Sequence, residues 1–366
     1  MLKRFLGILV VVLTVYACSS ADEEPSPSDS FDRGVMLTHL ADNIIIPAHQ
    51  DFMTKMSALK AAGEVFTTSP NQSHLDALRL SWFSAYKNWQ HIEMFNIGKA
   101  EELQYRFFMN VYPLTTSDVE SNIADGSYDL ESANNHDAQG FPALDYLLHG
   151  LGSSDAEILE NYTTATNNGN YKKYITDVLN QMYSKTEAVV SDWATYRGEF
   201  VSSTSNTATS AVNKLVNDYI FYYEKGLRAN KLGIPAGIFS PNQLPEKVEA
   251  FYKKDISKEL ALESIKSVID FFNGKNYSSD ATGSSFSDYL SSLDRNDLTQ
   301  TILNQFNIAK NQINTLDNNF YLQVNTDNSK MTEAYDELQK AVILLKTDML
   351  QALSINIDYV DGDGDG

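Results

Sequence analysis

Large apolar side chains recur along most of the chain at steps of three and four, the spacing that places them on one face of an α-helix. Leu75, Leu78, Trp82, Tyr86 and Trp89 follow steps of 3, 4, 4 and 3, and the face continues to Glu93. This predicts a bundle helix stopped by Gly98, since a glycine just past the last periodic residue supplies the left-handed C-terminal turn. Leu298, Ile302, Phe306, Ala309, Ile313, Leu316 and Phe320 form a second stripe, and Met331, Tyr335, Leu338, Val342, Leu345 and Met349 a third. Further helices are predicted around 32–62, 172–200, 207–230 and 257–273, with short ones around 116–124, 142–149 and 284–292. The alternation of half-buried strands is almost missing, so the pattern predicts an all-α fold.

Polar, glycine-bearing runs at 167–170, 202–206 and 273–279 read as loops. The serine run near 203 divides an N-terminal part, 32–203, from a C-terminal part, 204–358. Each part holds roughly four major helices, which suits two helical-bundle domains with long crossover connections.

The chain start changes the picture. Residues 1–17 read as a lipoprotein signal peptide: Lys3 and Arg4 precede an apolar run from Phe5 to Val15, which ends in Val15-Tyr16-Ala17-Cys18. That run is shorter than the about 20 residues a bilayer-spanning helix needs. Cys18, the single cysteine, stands where lipid is attached, which would anchor the protein to a membrane; the alternative is an ordinary signal peptide cut near Ala17. A lipidated Cys18 leaves no thiol or disulfide chemistry. Residues 18–31 are polar, acidic and proline-bearing and read as a flexible tether. An acidic cluster so near the anchor resembles the surface-export signals of Bacteroidetes lipoproteins, so the expected location is the outer membrane, at its periplasmic face or at the cell surface. The formal net charge of -20 opposes binding to nucleic acid. It is compatible with cation capture, and solubility alone also accounts for it.

Gly140-Phe141-Pro142-Ala143-Leu144-Asp145-Tyr146-Leu147-Leu148-His149-Gly150 is an apolar segment between glycines that carries one carboxylate. Around it stand, in order, Trp82 to Gly98, Tyr112-Pro113, Val119 to Ile123, Lys231 to Gly237, Val248 to Tyr252 and Ala334 to Lys340. Together these blocks resemble the imelysin-like family, the family of iron-regulated protein A and the insulin-cleaving membrane peptidase. The family signature reads Gly-x-His-x-x-Glu; here Gly140 fits, Pro142 stands at the His position and Asp145 at the Glu position. The resemblance implies a duplicated four-helix-bundle arrangement, a pocket between the two domains near 140–150, and an envelope role in iron or other metal uptake. It carries a peptidase label that belongs to the insulin-cleaving member.

A His and a Glu three positions apart share one helix face and can grip one cation. Pro142 offers no donor, but its fixed φ and missing N–H suit the first turn of a helix. Asp145 near that N-terminus is favoured by the helix dipole without any ligand, or it retains a binding role. A metal site here needs donors from elsewhere, and Asp145, Glu93 and His136 form the set that suits iron or another divalent ion; His136 is also readable as a plain loop histidine. The Trp82, Tyr86 and Trp89 stripe is readable as core or as the wall of a haem or siderophore pocket, and Tyr222, with Tyr219 and Tyr223, as packing or as ferric-iron phenolates. Gly140, Pro142, Asp145, Trp89 and Tyr222 are thus the candidate binding residues.

Catalysis finds little in the sequence: no His-Glu-x-x-His helix, no Gly-x-Ser-x-Gly elbow, and no histidine pair at ligand spacing. Residues 359–366 form an acidic tail, in which Asp361, Asp363 and Asp365 resemble the opening of a calcium loop without its distal bidentate Glu. A calcium site there is not expected. The reading is a non-enzymatic binding protein, with a metallopeptidase and a surface adhesion or scaffold lipoprotein as the alternatives.

Overall fold

The computed structural model describes residues 30–359. Within them every regular element is helical, and the one β pairing is an isolated antiparallel bridge between Lys275 and Thr282. No helix among the described residues is long and apolar enough to cross a membrane. The expected signal segment, Cys18, nearly all of the tether and the Asp361 to Asp365 run lie outside the described residues.

In the N-terminal half, helix Ile46–Thr68 turns back through a short polar link onto Gln72–Trp89. The link works because the Asn71 side chain accepts from the backbone N–H of His74, which caps the second helix. The longest helix, Asn168–Ser202, lies against Ile46–Thr68 and ends at the serine run. In the C-terminal half, Ser257–Phe272, Asn296–Asn314 and Asn328–Ile343 pack around a widened helical stretch, Tyr222–Gly233. The halves meet where Gln72–Trp89 faces Ser257–Phe272, with the Phe95 and Phe271 rings 5.1 Å apart.

Two predicted stripes run past the real helix ends. Gln72–Trp89 stops well before Gly98, and tight turns follow, with the N–H groups of both Ile92 and Glu93 on the Trp89 carbonyl. Ile92, Met94, Phe95 and Ile97 are all buried there, which the single apolar face of a continuing helix cannot achieve. Asn296–Asn314 likewise ends before Leu316, and Phe320 opens a new helix capped by Asn319.

Two widened, π-helical stretches, Ala41–Ile45 and Tyr222–Gly233, each run into a helix that carries proline in its first turn, Pro47 and Pro235. Proline has no N–H for the carbonyl four residues back, and the ladder shifts register to i→i+5, as in Ile46 N–H to Ala41 O and Ile234 N–H to Ala229 O. The carbonyl that Pro47 leaves free, Asn43 O, accepts instead from the backbone N–H of Tyr277 at 2.9 Å, in the C-terminal half. A missing helix donor thereby stitches the halves together.

Candidate functional site

The signature segment forms helix Gly140–His149, eight of whose ten residues are buried. Gly140 has φ +71°, and a Cβ there would come within 2.3 Å of the Met109 carbonyl oxygen. Only glycine meets both conditions. Phe141 stacks on Tyr86 with ring centroids 4.5 Å apart, and its carbonyl accepts from Trp82 Nε1 at 3.2 Å, so the helix is locked onto Gln72–Trp89. Pro142 occupies the first turn, as its chemistry favours, and lines a cavity of about 150 Å³ together with Tyr112, Asp145 and Tyr252.

Asp145 is 1% exposed. Its two carboxylate oxygens accept from the backbone N–H groups of Tyr252 and Lys253, at 2.8 and 2.9 Å. Burial pushes its carboxyl up to about 7, while the two amide donors and Lys253 pull the other way. The observed work of Asp145 is to clamp the loop after Val248 onto the signature helix.

Deeper between the halves lies a buried polar cluster. The Tyr86 hydroxyl donates to Asn110 Oδ1 at 2.7 Å, which turns the Asn110 amide nitrogen toward two carboxylates, Glu249 Oε1 at 2.9 Å and Glu93 Oε1 at 3.2 Å. Lys231 Nζ donates to Glu249 Oε2 at 2.6 Å and lies 4.0 Å from Glu93 Oε2, within ion-pair range but beyond a hydrogen bond. Gln90 also donates to Glu249 and accepts from Ser264 Oγ. Burial pushes the Glu93 carboxyl above its usual range; Lys231 opposes this and Glu249 reinforces it.

This cluster floors a cavity of about 320 Å³, lined among others by Glu93, Asn110, Tyr112, Asp218, Phe221 and Tyr222. The Tyr222 hydroxyl interacts with Glu93 and Ser264, Trp89 interacts with Glu93, and Asp218 Oδ2 is buried without a hydrogen-bond partner. Burial pushes Asp218 up to about 8, and repulsion from Asp358 and Glu101 adds to it. Arg106 sits at the same cavity, its guanidinium over the Phe107 and Phe221 rings at 5.0 and 4.8 Å. The arrangement can accept hydrogen bonds from a guest and flank it with aromatic faces. Tyr112 lines both cavities, so the site adjoins the signature helix.

The residues proposed as metal ligands take separate partners. Asp145 is held by backbone amides, Glu93 faces Asn110 and Lys231, and His136 stacks flat on Phe107 with ring centroids 5.3 Å apart. Among the described residues, no group of three or more His, Cys, Asp or Glu side chains is placed to hold a metal ion. Trp89 is 1% exposed and packs against Phe52 and Tyr105, inside the core. Tyr222 is buried with its hydroxyl beside Glu93 and Ser264, and burial pushes its phenol upward. Asn110, Asp218, Lys231 and Glu249 are site residues that sequence reasoning did not single out. Lys231 and Glu249 each lie in a block that carries the family resemblance, where a charge among apolar neighbours is the available signal.

The model of the family described as imelysin matches residues 45–347. The chain belongs to the imelysin family. Two crystal structures share the imelysin fold seen here. One is of an imelysin-like protein from Psychrobacter arcticum 273-4, at 18% identity and TM-score 0.70, covering 90% of this chain and 97% of that one. The other is of a proposed iron-regulated protein A precursor from Parabacteroides distasonis ATCC 8503, also at 18% identity, with TM-score 0.71, covering 90% of this chain and 98% of that one. No curated protein matches the chain.

Proposed function

We propose that this imelysin-family protein is a non-enzymatic envelope lipoprotein in iron or other metal uptake, anchored through Cys18 to the outer membrane on its periplasmic face or at the cell surface. Its cargo is a metal carried in a small organic chelate, bound in the cavity between the halves. The observation that carries this reading is Asp218 Oδ2, buried without a hydrogen-bond partner at that cavity, beside the Arg106 guanidinium and the Phe107 and Phe221 rings. Buried polar groups without partners are costly, and a guest that offers N–H or O–H donors relieves the cost. The iron-regulated name of one structural neighbour supports the link to iron. Asp145, whose oxygens are both engaged by backbone amides, serves in this reading as a support for the cavity wall and not as a proton acceptor.

The test titrates ferric and ferrous chelates, haem and siderophores into the full chain in mild detergent, and repeats the titration with Asp218→Ala and Tyr222→Phe. Each variant should weaken binding by about tenfold, the loss of one hydrogen bond. Peptide cleavage abolished by chelators and restored by zinc would instead establish a metallopeptidase. Retention of a protein or glycan with no chelate bound would point to a surface scaffold.

A further inference from the structure

Lys231 is 1% exposed, Glu249 is 2% exposed, and Glu93 is mostly buried beside them. Carboxylates brought together away from water need a cation between them or a proton on one of them. In many proteins that cation is a divalent metal, with carboxylate oxygens at about 2.0–2.6 Å. Here the position is taken by the Lys231 ammonium, 2.6 Å from Glu249 Oε2 and 4.0 Å from Glu93 Oε2. Asn110 bridges the opposite oxygens of the same two carboxylates, so the three charges are held in one frame. The lysine backbone is held equally firmly, within the widened helix that runs into Pro235.

We propose that Lys231 is the resident cation of this site, standing where a metal ion would bridge Glu93 and Glu249, so that the site takes no bare divalent ion and receives its metal only inside an organic ligand. The proposal rests on the cavity reading above for the word ligand, but not for the behaviour of the ions. An ammonium and a divalent ion cannot share the space: their repulsion is unscreened in a buried setting, and Glu249 Oε2 already has its close partner. Glu93, which lines the cavity, then faces the cargo with a carboxylate that no metal ion covers. Lys231 thus acts as a selectivity device that removes competition from free metal ions.

The experiment titrates Mn²⁺, Fe²⁺ and Zn²⁺ into the full chain by calorimetry and measures metal retained after dialysis, for the wild type, Lys231→Met, Lys231→Met with Glu249→Gln, and Glu93→Gln. The wild type should retain no stoichiometric ion. Lys231→Met should gain one ion per chain, with affinity at least about tenfold above wild type, and should melt later when the ion is added. The double variant should lose that gain. A wild type that binds one ion, lost in Glu93→Gln, overturns the proposal, and so does a folded Lys231→Met that binds none. Should Lys231→Met fail to fold in buffer, it is refolded with Mn²⁺ present; recovery supports the proposal and failure with every ion counts against it. Absence of any organic cargo would defeat the uptake reading without altering these ion titrations, and a bare ion on the wild type would defeat the Lys231 assignment alone.

Discussion

Asp145 accepts a 2.8 Å hydrogen bond from the backbone N–H of Tyr252, a residue more than a hundred positions later in the chain. With the neighbouring bond from Lys253 N–H, it ties the signature helix of one half to a loop of the other. Asp145→Asn should lower unfolding free energy by about 2 kcal/mol, because the amide can present an acceptor to only one of the two N–H groups and sets a donor against the second. Urea unfolding followed by circular dichroism checks this. A variant as stable as wild type would show that the clamp contributes nothing.

The interface should respond unequally to loss of its polar contacts. Lys87 pairs with Glu259 at 2.7 Å across the halves, but both side chains are well exposed, 39% and 46%. Lys87→Ala is therefore expected to cost less than about 1 kcal/mol. Asn110→Ala strips a donor from both Glu93 and Glu249 and the acceptor from Tyr86, and should cost about 3 kcal/mol. Equal losses in the two variants, measured by denaturant titration, would contradict this ordering.

His49 gives the fold an acid sensitivity of defined sign. It is buried, its Nδ1 donates to the Ile45 carbonyl at 2.8 Å, and burial holds its folded pKa at about 4 against 6.5. The folded state therefore resists a proton that the unfolded state takes up. Its contribution is complete above pH 6.5 and is lost as pH falls toward 4, up to about 3 kcal/mol. Asp145 has the opposite sign: with a folded value near 7 above 3.8, its contribution is complete below 3.8 and is lost as pH rises through 7. The comparison must be by difference, and His49→Gln should show a flatter fall in stability than wild type between pH 6.5 and 4.5. Parallel pH profiles would remove His49 from the account.

Helix positions were legible because period is a local property: Leu75, Leu78, Trp82, Tyr86 and Trp89 are all buried on Gln72–Trp89 as their spacing requires. The helix end was not, because Ile92 and Phe95 continue an apolar run whose burial depends on the other half of the molecule. Gly140 was legible as a motif residue, yet the Met109 carbonyl that excludes a side chain there was not. Glu93 was found as a carboxylate at a helix end, but its partners Asn110, Lys231 and Glu249 are supplied by distant segments. Asp145 hid its role most completely, since its partners are backbone amides, which every residue but proline possesses.

Pro47 carries one more lesson. The grip of Asn43 on Tyr277 runs between main-chain atoms, created by a ring that has no proton to give. That main-chain grip asks nothing of the side chains at 43 and 277, although the Tyr277 hydroxyl reinforces the same seam through Asp51 and Asn88, whereas replacing the one imino acid would hand the carbonyl a rival donor from its own helix.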